Sequence, residues 1–364
     1  MAPRPEVRVA LFGMKGAGKT TLLASYFGNQ QRNAFEEQHG FRLEAADAAQ
    51  GSLLLSRYYR LEGGAFPVGT DGFDTLRFGL KVHDLPLPSL DVVWYDYPGG
   101  WWETAPSDEA ERDARRKALR LLLESHAAIL LVDSERYVKE GMTYARSLLD
   151  QFRAEIRRII GELSALGQAP DFPEQWLIAF SKADLLGERA TAFTLGEELR
   201  AGAADQLAGV QKAVGGAASF GQEFLLLSAV RGDGRQVLDA HQSLGLTAIA
   251  PIVLLGALSR VAEKSGRGRV WGTLATVLEV MKGVSEAVDK LDDFLPLKYR
   301  ALTVLIKALR TKEGLTAGVA KLRERQKSAA NRGKSLDAVA YALRAELASP
   351  ETERAYFKTR LEHG

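Results

Sequence analysis

The sequence predicts an α/β protein: a mostly parallel sheet with flanking helices and one antiparallel edge, followed by an α-helical C-terminal region. Three observations predict it. Apolar, β-branched or aromatic runs recur at 7–12, 73–82, 90–95, 127–132, 175–180 and 223–227, several of them continuous, as in strands covered on both faces. Helix-compatible stretches separate most of these runs. After the GRGR loop at 266–269, strand signals nearly stop and Ala, Leu, Lys, Arg and Glu dominate.

Composition sets the outer limits. A chain of 364 residues, 46% hydrophobic and 26% charged, holds one large or two ordinary domains. With no cysteine there is no disulfide or thiolate chemistry, and five histidines without short ligand spacing argue against a zinc site. A formal charge of +2 gives no global reason to expect nucleic acid. The start, MAPRPEVRV, lacks an apolar signal core, and no uncharged stretch reaches the roughly 18–20 residues of a membrane span, so a cytoplasmic location is expected. The Ala- and Arg-rich composition suggests a bacterial source.

The first run, VRVALF, opens directly into GMKGAGKT at 13–20, a full match to the phosphate-binding pattern GxxxxGK[ST], the Walker A motif or P-loop. Gly13, Gly16 and Gly18 let the backbone bend so that successive amides face a phosphate. Lys19 neutralises phosphate oxygens and is the foremost catalytic candidate, while Thr20 can ligate Mg²⁺. Lys15, Ala17 and Thr21 complete the expected phosphate-binding set, and the following helix adds its positive end. The long stretch 29–64 reads either as a helical insertion that contacts a partner or as an elaborated surface loop. Runs 73–82 and 90–95, joined by DLPLPS, read as a hairpin and supply the antiparallel edge. The second of them delivers Asp96 into DYPGG, a DxxG pattern whose carboxylate can hold Mg²⁺ through water and whose Gly99 amide can sense a γ-phosphate.

Helices are expected over 103–125, 138–166 and 194–214, and in a stretch ending near 264. Between them, QWLIAF leads into Ser181, Lys182, Ala183 and Asp184, a variant of the [NT]KxD loop. There the carboxylate pairs with the N1 and N2 donors of guanine, a donor pair adenine lacks. FLLLSAV then places Ser228 and Ala229 at the next strand end, matching the loop whose backbone meets the guanine oxygen.

With these four loops in order over roughly 230 residues, the chain resembles the P-loop GTPases of the translation-factor and Ras-like (TRAFAC) class. The resemblance implies a six-stranded Ras-like sheet, GTP or GDP with Mg²⁺ at the strand C-termini, and a switch between two nucleotide forms. It also implies that Thr70, just before run 73–82, is a Mg²⁺ ligand beside Thr20 and Asp96. DYPGGWWE resembles a stretch of the bacterial YcjX-type and dynamin-like GTPases. Two departures bear on rate. Gly100 stands where many small GTPases carry a water-orienting glutamine, so intrinsic hydrolysis is expected to be slow. Lys15 stands where a small residue is usual, and either supplies charge to the phosphate as a tentative second catalytic group or points to solvent. Glu103 is read as a dipole-compensating acid at the start of the 103–125 helix. Trp101 and Trp102 follow the DxxG loop, where one could dock an effector and at least one is expected in the core.

The division expected is a GTP-binding domain over 1–265, with the insertion near 29–65, and a helical region over 266–364. The apolar run 244–258 is too short to span a bilayer and reads as a buried helix begun by Pro251. Stretch 298–334 holds eleven Lys or Arg against Glu313 and Glu324, which suits either a solvated face or contact with acidic lipid, nucleic acid or protein. The expected function is a slowly hydrolysing GTP switch acting on a protein effector or awaiting an activator. A homodimerising motor-like GTPase at a membrane or filament, and a non-hydrolysing nucleotide-bound scaffold, stay open beside it. An ABC-type ATPase lacks its signature sequences here.

Overall fold

The computed structural model describes residues 4–70, 72–83, 85–165, 167, 172–173, 175–187, 190–215, 220–264, 320, 322–329, 335–348 and 350–359. Most of the basic stretch 298–334, and the whole of 266–319, lie outside the described residues.

Continuous apolar runs become central strands because only burial on both faces removes that much hydrocarbon from water. Strand β1 (Glu6–Phe12) leads into helix α1 (Lys19–Gln30), then α2 (Asn33–His39), β2 (Phe41–Ala45) and α3 (Ala48–Glu62). The hairpin β3 (Asp74–Val82) and β4 (Leu90–Asp96) follows, then α4 (Glu109–Leu123), β5 (Ala127–Asp133), α5 (Ser134–Glu140) and α6 (Met142–Ala165). Next come β6 (Gln175–Ser181), α7 (Ala192–Gly202), α8 (Ala204–Ala213), β7 (Glu223–Leu226), the small ribbon β8 (Arg231–Gly232) and β9 (Val237–Asp239), and α9 (Leu246–Lys264). Helices α10 (Ser335–Leu347) and α11 (Pro350–Ala355) and strand β10 (Tyr356–Lys358) close the chain.

The main sheet runs β10-β7-β6-β5-β1-β4-β3-β2. Its centre is parallel, with β1 between β4 and β5, and β6 and β7 beyond β5. β3 and β2 are antiparallel at one side and β10 at the other. Among the described residues, the expected six strands with one antiparallel edge are therefore eight strands with an antiparallel strand at each edge. Both additions have physical causes. FRLEA in β2 carries two charged residues in five, because an edge strand is half solvated; it makes stretch 33–62 a helix–strand–helix unit. YFK in β10 is too short for periodicity, and its strand state comes from pairing Phe357 with Phe224 on β7. The C-terminal region, expected to be helical, thus includes a strand.

Alternation along β1 divides the core. Val7, Val9 and Leu11 face one layer with α1, α9 and α10, while Ala10 and Phe12 face the other with α4, α6, α7 and α8. Run 244–258 forms the start of α9, with Ile249, Val253 and Leu254 fully buried. Pro251 lies inside that helix, not at its first turn. Among the described residues no helix is long and apolar enough to cross a membrane.

Two long helical expectations are broken by backbone chemistry. Gly141, at φ 61°, separates α5 from α6, and Ala203 separates α7 from α8. Helix α4 begins at Glu109, with Asp108 as its N-cap accepting from the Glu111 amide, and the acids of its first turn are Glu109 and Glu111. Glu103 is thus not at a helix start; it follows a single 3-10 turn, Gly99–Trp102.

The C-terminal elements are tied down by buried charge. The Glu223 carboxylate accepts from Lys358 Nζ at 2.5 Å, Tyr356 Oη at 3.0 Å and Gln175 Nε2 at 3.0 Å. On the opposite side, Glu346 of α10 pairs with His39 Nδ1 at 2.8 Å.

Candidate functional site

All four loops end at the C-terminal side of the parallel strands, where the diverging chain leaves a crevice. There the protein encloses a cavity of about 690 Å³, lined by the 14–22 stretch, by 66–70 and 97–100, and by Ser181, Lys182, Asp184, Ser228, Ala229 and Gly232.

At the anion end, Gly16 and Gly18 stand at φ 80° and 89°, a conformation that favours glycine, which turns the loop into the start of α1. No described side chain caps that helix, leaving its first amides for an incoming group. Gly13 is packed for a different reason: a Cβ there would lie 3.2 Å from the Ala17 and Leu131 Cβ atoms. Its amide donates to Tyr97 Oη at 3.1 Å. Lys19, only 6% exposed, curls back so that Nζ donates to Gly13 O at 2.7 Å and lies 4.8 Å from the Tyr97 ring centre. Burial lowers its ammonium to a pKa of about 8, and the carboxylates of Asp96 and Glu103 pull the other way. A buried cation so held is completed by an anion. Lys15 is exposed at the same cavity.

Gly99 meets this loop backbone to backbone. A Cβ on it would sit 2.6 Å from Lys15 N and 2.7 Å from Lys15 Cα, so only glycine lets the DxxG turn approach so closely.

Thr20, Thr70 and Asp96 converge from three separate segments. Thr20 Oγ1 lies 3.1 Å from Thr70 Oγ1, which donates to Asp96 Oδ2 at 2.5 Å. Asp96 is 1% exposed and its Oδ1 has no hydrogen-bond partner. Burial raises its pKa against the Thr70 hydrogen bond and the Lys19 charge. Two hydroxyls and one carboxylate with a buried unmatched oxygen form an all-oxygen set suited to a hard divalent cation that takes its other ligands from phosphate and water. Among the described residues no cluster of three His, Asp or Glu offers an alternative metal site.

At the other end, Asp184 is aimed by two donors: Ser228 Oγ lies 2.6 Å from its Oδ1, and the Gly232 amide donates to Oδ2 at 2.8 Å. Lys182 is the one non-glycine residue with positive φ (53°) among the described residues. Its ammonium donates to Asp133 Oδ2 at 2.8 Å and Glu135 Oε2 at 3.1 Å, which pins the strained turn. Ser181 Oγ donates to Val132 O at 3.3 Å, and Ala229 O accepts from Ser25 Oγ at 2.5 Å, tying the last loop to α1.

Lys15, Gly16, Ala17, Gly18, Lys19, Thr20, Thr21, Thr70, Gly99, Ser181, Lys182, Asp184, Ser228 and Ala229 therefore line the cavity, and Gly13 and Asp96 are hydrogen-bonded to residues of its wall. Sequence reasoning missed Tyr97, a variable position of DxxG that closes the floor beneath Lys19, and Gly232, which belongs to a two-residue strand with no pattern of its own. Trp101 is half-buried, stacks on Tyr97 at 6.4 Å and lies under Arg115 at 5.6 Å, so packing claims it.

No protein-family model matches this sequence, and no curated protein matches it significantly. Solved structures show distant likeness. The bacterial selenocysteine-specific elongation factor EF-Sec is similar at 14% identity and a TM-score of 0.28, over 63% of this chain and 27% of its own. Roco2 RocCORdC of Methanosarcina barkeri, bound to GDP, is similar at 19% identity and a TM-score of 0.28, over 64% of this chain and 46% of its own. Each likeness spans less than half of the other protein's chain.

Proposed function

We propose that this protein is a Mg²⁺-dependent guanine-nucleotide-binding protein that hydrolyses GTP slowly and acts as a nucleotide-controlled switch on a protein partner. One observation carries the reading: a single cavity joins a buried Lys19 and its amide-lined loop at one end to the oriented Asp184 carboxylate at the other. Its size falls within the roughly 300–1,000 Å³ of small-molecule sites.

Lys19 and the loop amides bind and orient the phosphates. Thr20, Thr70 and Asp96 would hold Mg²⁺, which when bound supplies neutralisation of phosphate charge. Asp184 selects the base, because a fixed carboxylate accepts from the two adjacent donors of guanine and finds no such pair on adenine. The slow rate follows from Gly100, which has no side chain to orient water. The switch reading follows from the contact between Gly99 and the Lys15 backbone, since a terminal phosphate entering there displaces the DxxG turn.

Single-turnover hydrolysis of labelled GTP tests it. The expected rate is on the order of 10⁻⁴ to 10⁻² s⁻¹ with Mg²⁺, the range of unstimulated GTPases, and falls further in excess chelator. Equal hydrolysis of ATP, or a rate indifferent to chelation, would contradict the proposal.

A further inference from the structure

Glu103 makes a contact that no helix role explains. Its Oε1 accepts from the Lys15 amide at 3.2 Å, joining the segment after the DxxG turn to the phosphate loop. The segment is built to present it. Arg115, with a side chain 7% exposed, donates from its guanidinium to Trp101 O at 3.0 Å and Thr104 O at 2.6 Å, and is itself held by Glu111 at 2.6 Å. Residues 101–105 are thereby strapped to α4, while the Glu103 side chain stays exposed and able to swing. A carboxylate thus takes a donor of the very loop that lines the anion end of the cavity, and its charge acts on the Lys19 ammonium.

We propose that Glu103 is a specificity-determining residue for the terminal phosphate: its carboxylate competes with the γ-phosphate for the loop's donors and withdraws when a triphosphate enters. The inference rests on the nucleotide reading above. A diphosphate leaves the contact in place, because its phosphates lie deeper, at Lys19 and the start of α1. A triphosphate brings a second anion to a place already holding one, and the two like charges oppose each other. Displacing Glu103 then tugs the strapped segment and Trp101, which gives the nucleotide state a route to the surface.

The test measures affinities of the full chain, with Mg²⁺, for GDP and for guanosine 5′-(β,γ-imido)triphosphate in wild type, Glu103→Gln and Glu103→Ala. Glutamine keeps the shape and an acceptor oxygen while removing the charge. Both substitutions are expected to tighten the triphosphate analogue by about tenfold and to change GDP by less than about twofold. Glu103 is exposed, and melting transitions verify that both variants fold. An unchanged ratio of the two affinities, or an equal shift in both, overturns the role of Glu103 while the nucleotide reading stands. A wild type that binds neither nucleotide overturns that reading and this inference with it.

Discussion

Replacing Lys19 by methionine is expected to abolish nucleotide binding and, at the same time, to raise the melting temperature of the free protein. Both effects come from one fact: Lys19 is buried, only 6% exposed. Its partners are Gly13 O at 2.7 Å, Met14 O at 3.4 Å and the Tyr97 ring, and burial lowers its pKa from 10.5 to about 8 against the opposing charges of Asp96 and Glu103. At neutral pH the group is still charged, so folding carries that burial cost. A shift of this size corresponds to about 3 kcal/mol against the charged form as an upper figure. Methionine matches the stem and removes the charge, while the lost hydrogen bond and ring contact offset part of the gain, leaving about 1–2 kcal/mol net. For a chain of 364 residues that is a rise of about 1–3 °C. Binding moves the other way, with a loss of at least about a hundredfold, because phosphate oxygens lose a charge-assisted partner in a desolvated position. Calorimetric melting and nucleotide titration on the same sample check both signs. A variant that melts lower, or binds as wild type does, contradicts the role given to Lys19.

Asp184→Asn is expected to exchange one base for another. The carboxylate is fixed by Ser228 and the Gly232 amide, and its remaining lone pairs face the cavity. Guanine offers N1–H and the 2-amino group to such an acceptor pair. Asparagine keeps one acceptor and turns the other into a donor, which loses a hydrogen bond to a charged group and sets its amide NH₂ against the amino group of guanine, donor to donor. GDP affinity is expected to fall by at least about a hundredfold. Xanthosine diphosphate carries an oxygen where guanine has its amino group, so its affinity is expected to rise in the same variant. Loss of GDP without that gain points away from a direct contact between Asp184 and the base.

Much of this site was legible in the sequence, and the reason is local. A phosphate loop needs glycine at the turns and lysine at a fixed offset, so GMKGAGKT names its own geometry, and strand-then-loop order puts Asp96, Asp184 and Ser228 on one side of the sheet. What was illegible depends on distance along the chain. Lys182 sits at a positive φ that only Asp133 and Glu135, almost fifty residues away, make tenable. Glu103 reads as a helix-start acid until the helix proves to begin at Glu109, capped by Asp108. β10 has three residues and no period, and is a strand because it pairs with β7, with Lys358 and Tyr356 bonded to the buried Glu223 carboxylate. Among the described residues, then, local chemistry wrote the loops, and tertiary pairing wrote the edges.

The central claim is that this cavity selects guanine nucleotide, and displacement of a fluorescent GDP from the wild-type chain in Mg²⁺ tests it most directly. GTP and GDP are expected to displace the probe at concentrations at least about a hundredfold below those needed for ATP, the discrimination a hydrogen-bonding site exerts on a ligand lacking its donors. Displacement by ATP at the same concentrations would contradict the claim.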